Sequence, residues 1–87
     1  MTLFEFDPAK STANQHKHGI DFVEAQAIWK DIDFIEVEAR SDDEPRSLVV
    51  GLIEGKHWSA IVTYRGEAVR IISVRRSRDS EVALYES

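Results

Sequence analysis

Val69-Arg70-Ile71-Ile72-Ser73-Val74-Arg75-Arg76 is the stretch on which the fold turns. Val and Ile dominate it, and branched side chains of this kind suit a half-buried pleated surface, so it predicts a strand. Its apolar residues are expected to hold a sheet together. Arg70, Arg75 and Arg76 stand at or near its end, where an anion can meet them. Regular alternation places Arg70, Ile72, Val74 and Arg76 on one face and Val69, Ile71, Ser73 and Arg75 on the other. Arg75 and Arg76 therefore point opposite ways.

Working back from that strand, Trp58–Tyr64 and Arg46–Ile53 read as two more, joined through the turns Arg65-Gly66-Glu67 and Glu54-Gly55-Lys56. Turns this short imply an antiparallel meander. Phe34, Ile35 and Val37, interleaved with Glu36 and Glu38, predict a preceding strand with one wet face, and Ser41–Pro45 is a polar loop. At the N-terminus Leu3–Phe6 alternates as a first strand. Asp7-Pro8 then opens a helix, with Asp7 as cap and Pro8 at its first position. It should run to about His18 and stop at Gly19, leaving Lys17 and His18 to complement the dipole in the last turn. Asp21 and Glu24 form a capping box for a second helix to Lys30, with Phe22, Ala25, Ile28 and Trp29 on one face. Asp79–Glu86 suits a short C-terminal helix that places Glu81 and Tyr85 on one side. The order predicts an α+β layer fold: two N-terminal helices packed as a hairpin on an antiparallel sheet, and a second sheet face left partly open.

Eighty-seven residues, 43% of them hydrophobic, suit one domain spanning 1–87. The absence of cysteine excludes disulfides and thiolate metal sites. With no long apolar run and no basic leader before Asp7, a cytoplasmic protein without a membrane span is expected. The net charge is −5, but it is unevenly spread. Asp31, Asp33, Glu36, Glu38, Asp42, Asp43 and Glu44 face only Arg40, whereas Arg65, Arg70, Arg75, Arg76 and Arg78 face only Glu67. A local basic patch can bind an anion despite an acidic total.

Two readings of the arginines stand side by side. A guanidinium grips phosphate bidentately and stabilises charge developing on phosphorus; equally, strand-end arginines pair with nearby carboxylates. Lys17-His18 offers a proton-transfer group or a helix-end cation. Arg46 is an anion ligand or a partner of Asp42, Asp43 and Glu44. The Tyr85 hydroxyl reaches a phosphate or docks the last helix. His16 is expected to face water and His57 to sit in a turn. No metal site is expected: His16 and His18 point to different faces of a helix, and no His–carboxylate spacing matches a known site. A glycine-rich phosphate loop and a serine or cysteine nucleophile motif are both absent.

Phe4-Glu5-Phe6-Asp7-Pro8, Asn14, Lys17-His18-Gly19-Ile20, Phe22, Glu24 and Ala25, then Arg46 before Leu48-Val49-Val50-Gly51, then Arg70–Arg76 with Glu81 and Tyr85, together resemble the BrnT family of toxins from type II toxin–antitoxin modules. Two positions depart from its pattern: Ile32 follows Asp31 where proline is usual, and Arg78 replaces a small or hydroxyl residue. The resemblance implies a RelE-like fold with a curved sheet and a cofactor-free ribonuclease that halts translation. It also implies a BrnA-like ribbon-helix-helix antitoxin, bound as a hetero-oligomer that reaches operator DNA only through the antitoxin. Within it, Arg75 and Arg46 would hold the scissile phosphate and His18 or Lys17 would move the proton. Arg70, Arg76, Arg65 and Tyr85 would contact RNA. The alternative is a non-catalytic partner and co-repressor whose arginine strand grips an acidic helix.

Overall fold

The computed structural model describes residues 2–87. Its strands are β1 (Leu3–Glu5), β2 (Ile35–Ala39), β3 (Arg46–Ile53), β4 (Lys56–Arg65) and β5 (Ala68–Arg76), and its α-helices are α1 (Pro8–His18) and α2 (Asp79–Glu86). A 3-10 helix spans Glu24–Lys30. The strands form one sheet in the order β1-β5-β4-β3-β2. β2 to β5 are the expected antiparallel meander. The β3–β4 hairpin closes through Glu54 and Gly55, both at positive φ. That backbone matches the natural strand twist and favours glycine at the second position.

Two expectations need correction. The sheet is mixed rather than wholly antiparallel, because β1 pairs parallel to β5. β5 ends the meander with one side unpaired, and only the N-terminal strand is left to fill it. The expected pair of α-helices is one α-helix and one 3-10 helix, and α1 contributes no apolar face. Its buried residues are Ser11 and Asn14. Asn14 donates to the carbonyls of Ile20 (2.8 Å) and Val74 (2.9 Å) and accepts from the Val74 N–H (3.2 Å). It thereby caps the β5 edge beyond the reach of β1. Ser11 accepts from the Phe22 N–H.

The capping box at Asp21 and Glu24 forms as expected, but the turn that follows is tighter than an α-helix. Phe22, Ala25 and Ile28 recur every third residue, and three residues per turn align them on one line. All three are buried. They pack with Ile20, Val49, Ala60, Val62, Val69, Ile71 and Val74 in the main core. Gly51 lets this helix approach β3: a Cβ there would lie 2.9 Å from Ile28 Cγ2 and 3.1 Å from its carbonyl oxygen.

The regular alternation expected of β5 is also broken. Ile61 pairs with Ser73, but Val62 pairs with Ile71, so Ile72 is an extra residue in a bulge. A one-residue slip exchanges the faces of everything beyond it. Val69, Ile71 and Val74 all face the core. Arg70, opposite Thr63, and Arg75, opposite Ser59, both lie on the outer face. Arg76, opposite Trp58, lies on the core side, its guanidinium 5.5 Å from the Trp58 ring.

α2 covers one end of the outer face. Asp31 anchors it, accepting the Tyr85 hydroxyl (2.7 Å) and the Leu52 N–H (2.8 Å) on one oxygen. The Leu52 amide lies past the end of β2, so Asp31 caps a second unpaired edge while it docks the helix.

Candidate functional site

The bulge gathers the arginines. Cross-strand partners share a face, so register places Arg46, Thr63, Arg70 and Glu5 in one row across the outer face. Leu48, Ile61 and Ser73 form the next row, and Val50, Ser59 and Arg75 the one under α2. Arg65, two residues beyond Thr63, shares that face in a further row, opposite Ala68. The side chains of Arg46, Arg65, Arg70 and Arg75 are 33%, 59%, 28% and 25% exposed. They are held against the sheet yet reachable from solvent.

Arg75 is the most tightly positioned. Its Nη1 and Nη2 donate to the two oxygens of Glu81 at 2.7 and 2.8 Å. Glu81 is buried on the inner side of α2. It also accepts from the Ser59 hydroxyl (2.8 Å) and the Arg78 N–H (2.9 Å), and Ser59 shares a 2.7 Å hydrogen bond with Ser77. The Arg75 hydrogen bonds outweigh burial and hold the Glu81 carboxyl down at about 2. The same hydrogen bonds push Arg75 above its ordinary value against the opposing effect of burial. A guanidinium has five N–H donors, and Nε takes no part in the Glu81 pair.

The remaining arginines are held more loosely. Glu5 lies 3.2 Å from Arg70 and 3.7 Å from Arg65, and Glu44 lies 3.7 Å from Arg46. Arg46 Nε is buried without a hydrogen-bond partner. Thr63 donates to the Pro45 carbonyl beside it.

The other expected site residues are placed apart. Lys17 is exposed and His18 half-buried at the end of α1, and among the described residues no hydrogen bond or ion pair joins either to the four outer arginines. Arg76 is on the opposite face. Tyr85 reaches Asp31 and not an arginine, and that hydrogen bond is the first cause raising its phenol to about 12. Burial works to raise the Asp31 carboxyl, but hydrogen bonds from Leu52, Tyr85 and Asp33 leave it below its ordinary value. His57, expected in a turn, lies within β4. It shares the outer face with Ser59, contacts Glu86 at 3.3 Å and meets the Tyr85 ring edge-on. Two-residue spacing from Ser59 was the signal that marked its face. Among the described residues no three acidic or histidine side chains gather as a metal site.

The outer sheet face thus carries four arginines, several hydroxyls and one guanidinium fixed by a buried carboxylate. A sequence model described as "Ribonuclease toxin, BrnT, of type II toxin-antitoxin system" matches residues 6–81. The chain belongs to this family. No curated protein matches it. The matched span begins after β1 and ends at Glu81, so it includes every arginine of the outer face. As a BrnT family member the chain is a ribonuclease toxin of a type II module, a class that acts on RNA and is paired with an antitoxin. None of its helices is long and apolar enough to cross a membrane.

Proposed function

We propose that this chain is a metal-independent endoribonuclease that arrests translation and is neutralised by a BrnA-like ribbon-helix-helix antitoxin, through which the complex reaches operator DNA. The observation that carries this reading is the bulge at Ile72, which sets Arg75 on the same face as Arg46, Arg65 and Arg70. In the proposed reaction the RNA 2′-oxygen attacks the adjacent phosphorus, loses its proton to a base, and the 5′-oxygen leaves with a proton from an acid. Charge builds on the phosphoryl oxygens, and guanidinium groups supply the compensating positive charge. Arg75, held by Glu81, presents its remaining N–H groups to those oxygens, with Arg46 beside the substrate. Arg65 and Arg70 follow the backbone, a salt-sensitive contribution. Proton transfer is assigned to one of two histidines: His18, with Lys17 beside it, or His57 on the arginine face.

Induced expression of the chain, beside Arg75→Ala, tests this reading, together with RNA cleavage in EDTA. Arrest and EDTA-resistant cleavage, both lost in a folded Arg75→Ala variant, are expected. Unchanged cleavage by that variant would remove Arg75 from the site. His18→Gln and His57→Gln then assign the proton. A second reading, a non-catalytic co-repressor, draws on the Arg75–Glu81 pair, which leaves Arg75 neutralised within the chain. Soluble, folded protein that neither arrests growth nor cleaves RNA would favour it.

A further inference from the structure

The sheet has two edges, and the fold treats unpaired strand groups with care. Where β5 outruns β1, Asn14 satisfies Val74 on both its N–H and its carbonyl. Where β3 outruns β2, Asp31 takes the Leu52 N–H. The two terminal strands keep free outer edges: β1, of 3 residues, pairs only with β5, and β2, the longer at 5 residues, pairs only with β3. Among the described residues, no side chain or loop bonds to the backbone of Ile35–Ala39 from the outer side. In an antiparallel pair, alternate residues turn their N–H and C=O away from the neighbour. β2 thus presents a template for one more strand.

Its side chains decide what can add. Glu36 and Glu38 are exposed on one face, and Ile35, Val37 and Ala39 are half-buried on the other. A second copy of this chain is disfavoured. Any antiparallel β2–β2 register that keeps the apolar residues on one face, and pairs more than one residue of each strand, sets glutamate directly opposite glutamate. Like charges directly opposite are destabilising. The same arrangement attracts a strand with Lys or Arg opposite Glu36 and Glu38 and apolar residues between them. Glu36 accepts one hydrogen bond from Tyr64 through Oε2, which orients it and leaves Oε1 for such a cation.

We propose that the β2 edge is a docking site for an extended segment of the antitoxin, alternating basic and apolar residues, which adds as a sixth strand beside the five of the toxin sheet. The main chain supplies the hydrogen bonds, and the glutamates select against self-pairing and for a cationic strand. β2 ends the arginine rows, with Ala39 opposite Arg46 and Val37 opposite Leu48, so a bound segment extends the sheet beside the outer face rather than lying across it. The toxin–antitoxin reading supplies only the identity of the partner.

The test uses the full chain and synthetic eight-residue peptides: alternating Val/Lys, alternating Val/Glu, and a block peptide of the Val/Lys composition. Amide hydrogen exchange is followed residue by residue. The alternating Val/Lys peptide is expected to slow exchange within Ile35–Ala39 and to bind about tenfold more tightly than Val/Glu. The double variant Glu36→Lys/Glu38→Lys should reverse that preference. No protection of β2, equal protection by the two alternating peptides, or equal binding of the block peptide would overturn the proposal. So would protection confined to Ser41–Pro45, which is charge attraction without strand addition. RNA cleavage in EDTA is measured on the same preparation. Cleavage without peptide binding refutes only the edge site, and peptide binding without cleavage refutes only the ribonuclease.

Discussion

Glu81→Gln is the perturbation whose size the structure sets most directly. The Glu81 carboxyl stands at about 2 against an ordinary 4.5. One unit corresponds to about 1.4 kcal/mol, so ionised Glu81 stabilises the fold by roughly 3 kcal/mol through linkage. A small domain has only about 5–15 kcal/mol in total, so the change is large. Because the folded value is depressed, the stabilisation is fully present above the unfolded value near 4.5 and is lost as pH falls towards 2. Glutamine keeps the shape but not the charge, and it leaves the part-buried Arg75 without its ion pair. Urea unfolding of both proteins at pH 7 should separate them by about 3 kcal/mol, or roughly 10–20 °C in Tm. At pH 2.5 most of that gap should close. Equal stability at pH 7, or an undiminished gap at pH 2.5, would refute the placement of Glu81 as the ionised clamp of Arg75.

Asn14→Ala removes three hydrogen bonds and strands the Val74 N–H and carbonyl; it should lower unfolding free energy by about 2–4 kcal/mol and speed amide exchange at Val74. Gly51→Ala places a Cβ 2.9 Å from Ile28 Cγ2 and 3.1 Å from the Ile28 carbonyl oxygen; a loss of about 1–3 kcal/mol in denaturant unfolding is expected. Both tyrosines of the chain titrate near 12, Tyr64 through burial and then Glu36, Tyr85 through Asp31. Ultraviolet absorbance should therefore show little tyrosinate at pH 10.5. Since both folded values are raised, their contribution holds below pH 10 and fades as pH climbs towards 12.

Much of the architecture was legible in the sequence because it rests on local chemistry. The Asp7 cap, the stop at Gly19, the Asp21–Glu24 box, the four antiparallel strands and the bounds of α2 all follow from neighbours a few residues apart. Glu81 and Tyr85 do lie on one side of α2, facing the sheet. Lys17 and His18 end α1 as expected, yet their spacing says nothing about which sheet face or edge the helix meets. The 3-10 geometry of Glu24–Lys30 was written in the spacing of Phe22, Ala25 and Ile28, but that spacing also suits one side of an α-helix.

The sequence alone determined the α+β class, the strand meander and the arginine-rich strand, since periodicity and turn chemistry are read from adjacent residues. Its motifs also pointed to the family. Only the tertiary structure decided three things. β1 adds in parallel because it fills an edge created by a strand more than sixty residues away. Arg70 and Arg75 share a face because the Ile72 bulge depends on the register of β4 against β5. Arg75 is clamped because α2 folds back over the sheet and buries Glu81 beside Ser59. Each depends on long-range pairing, which a two-residue alternation rule does not contain.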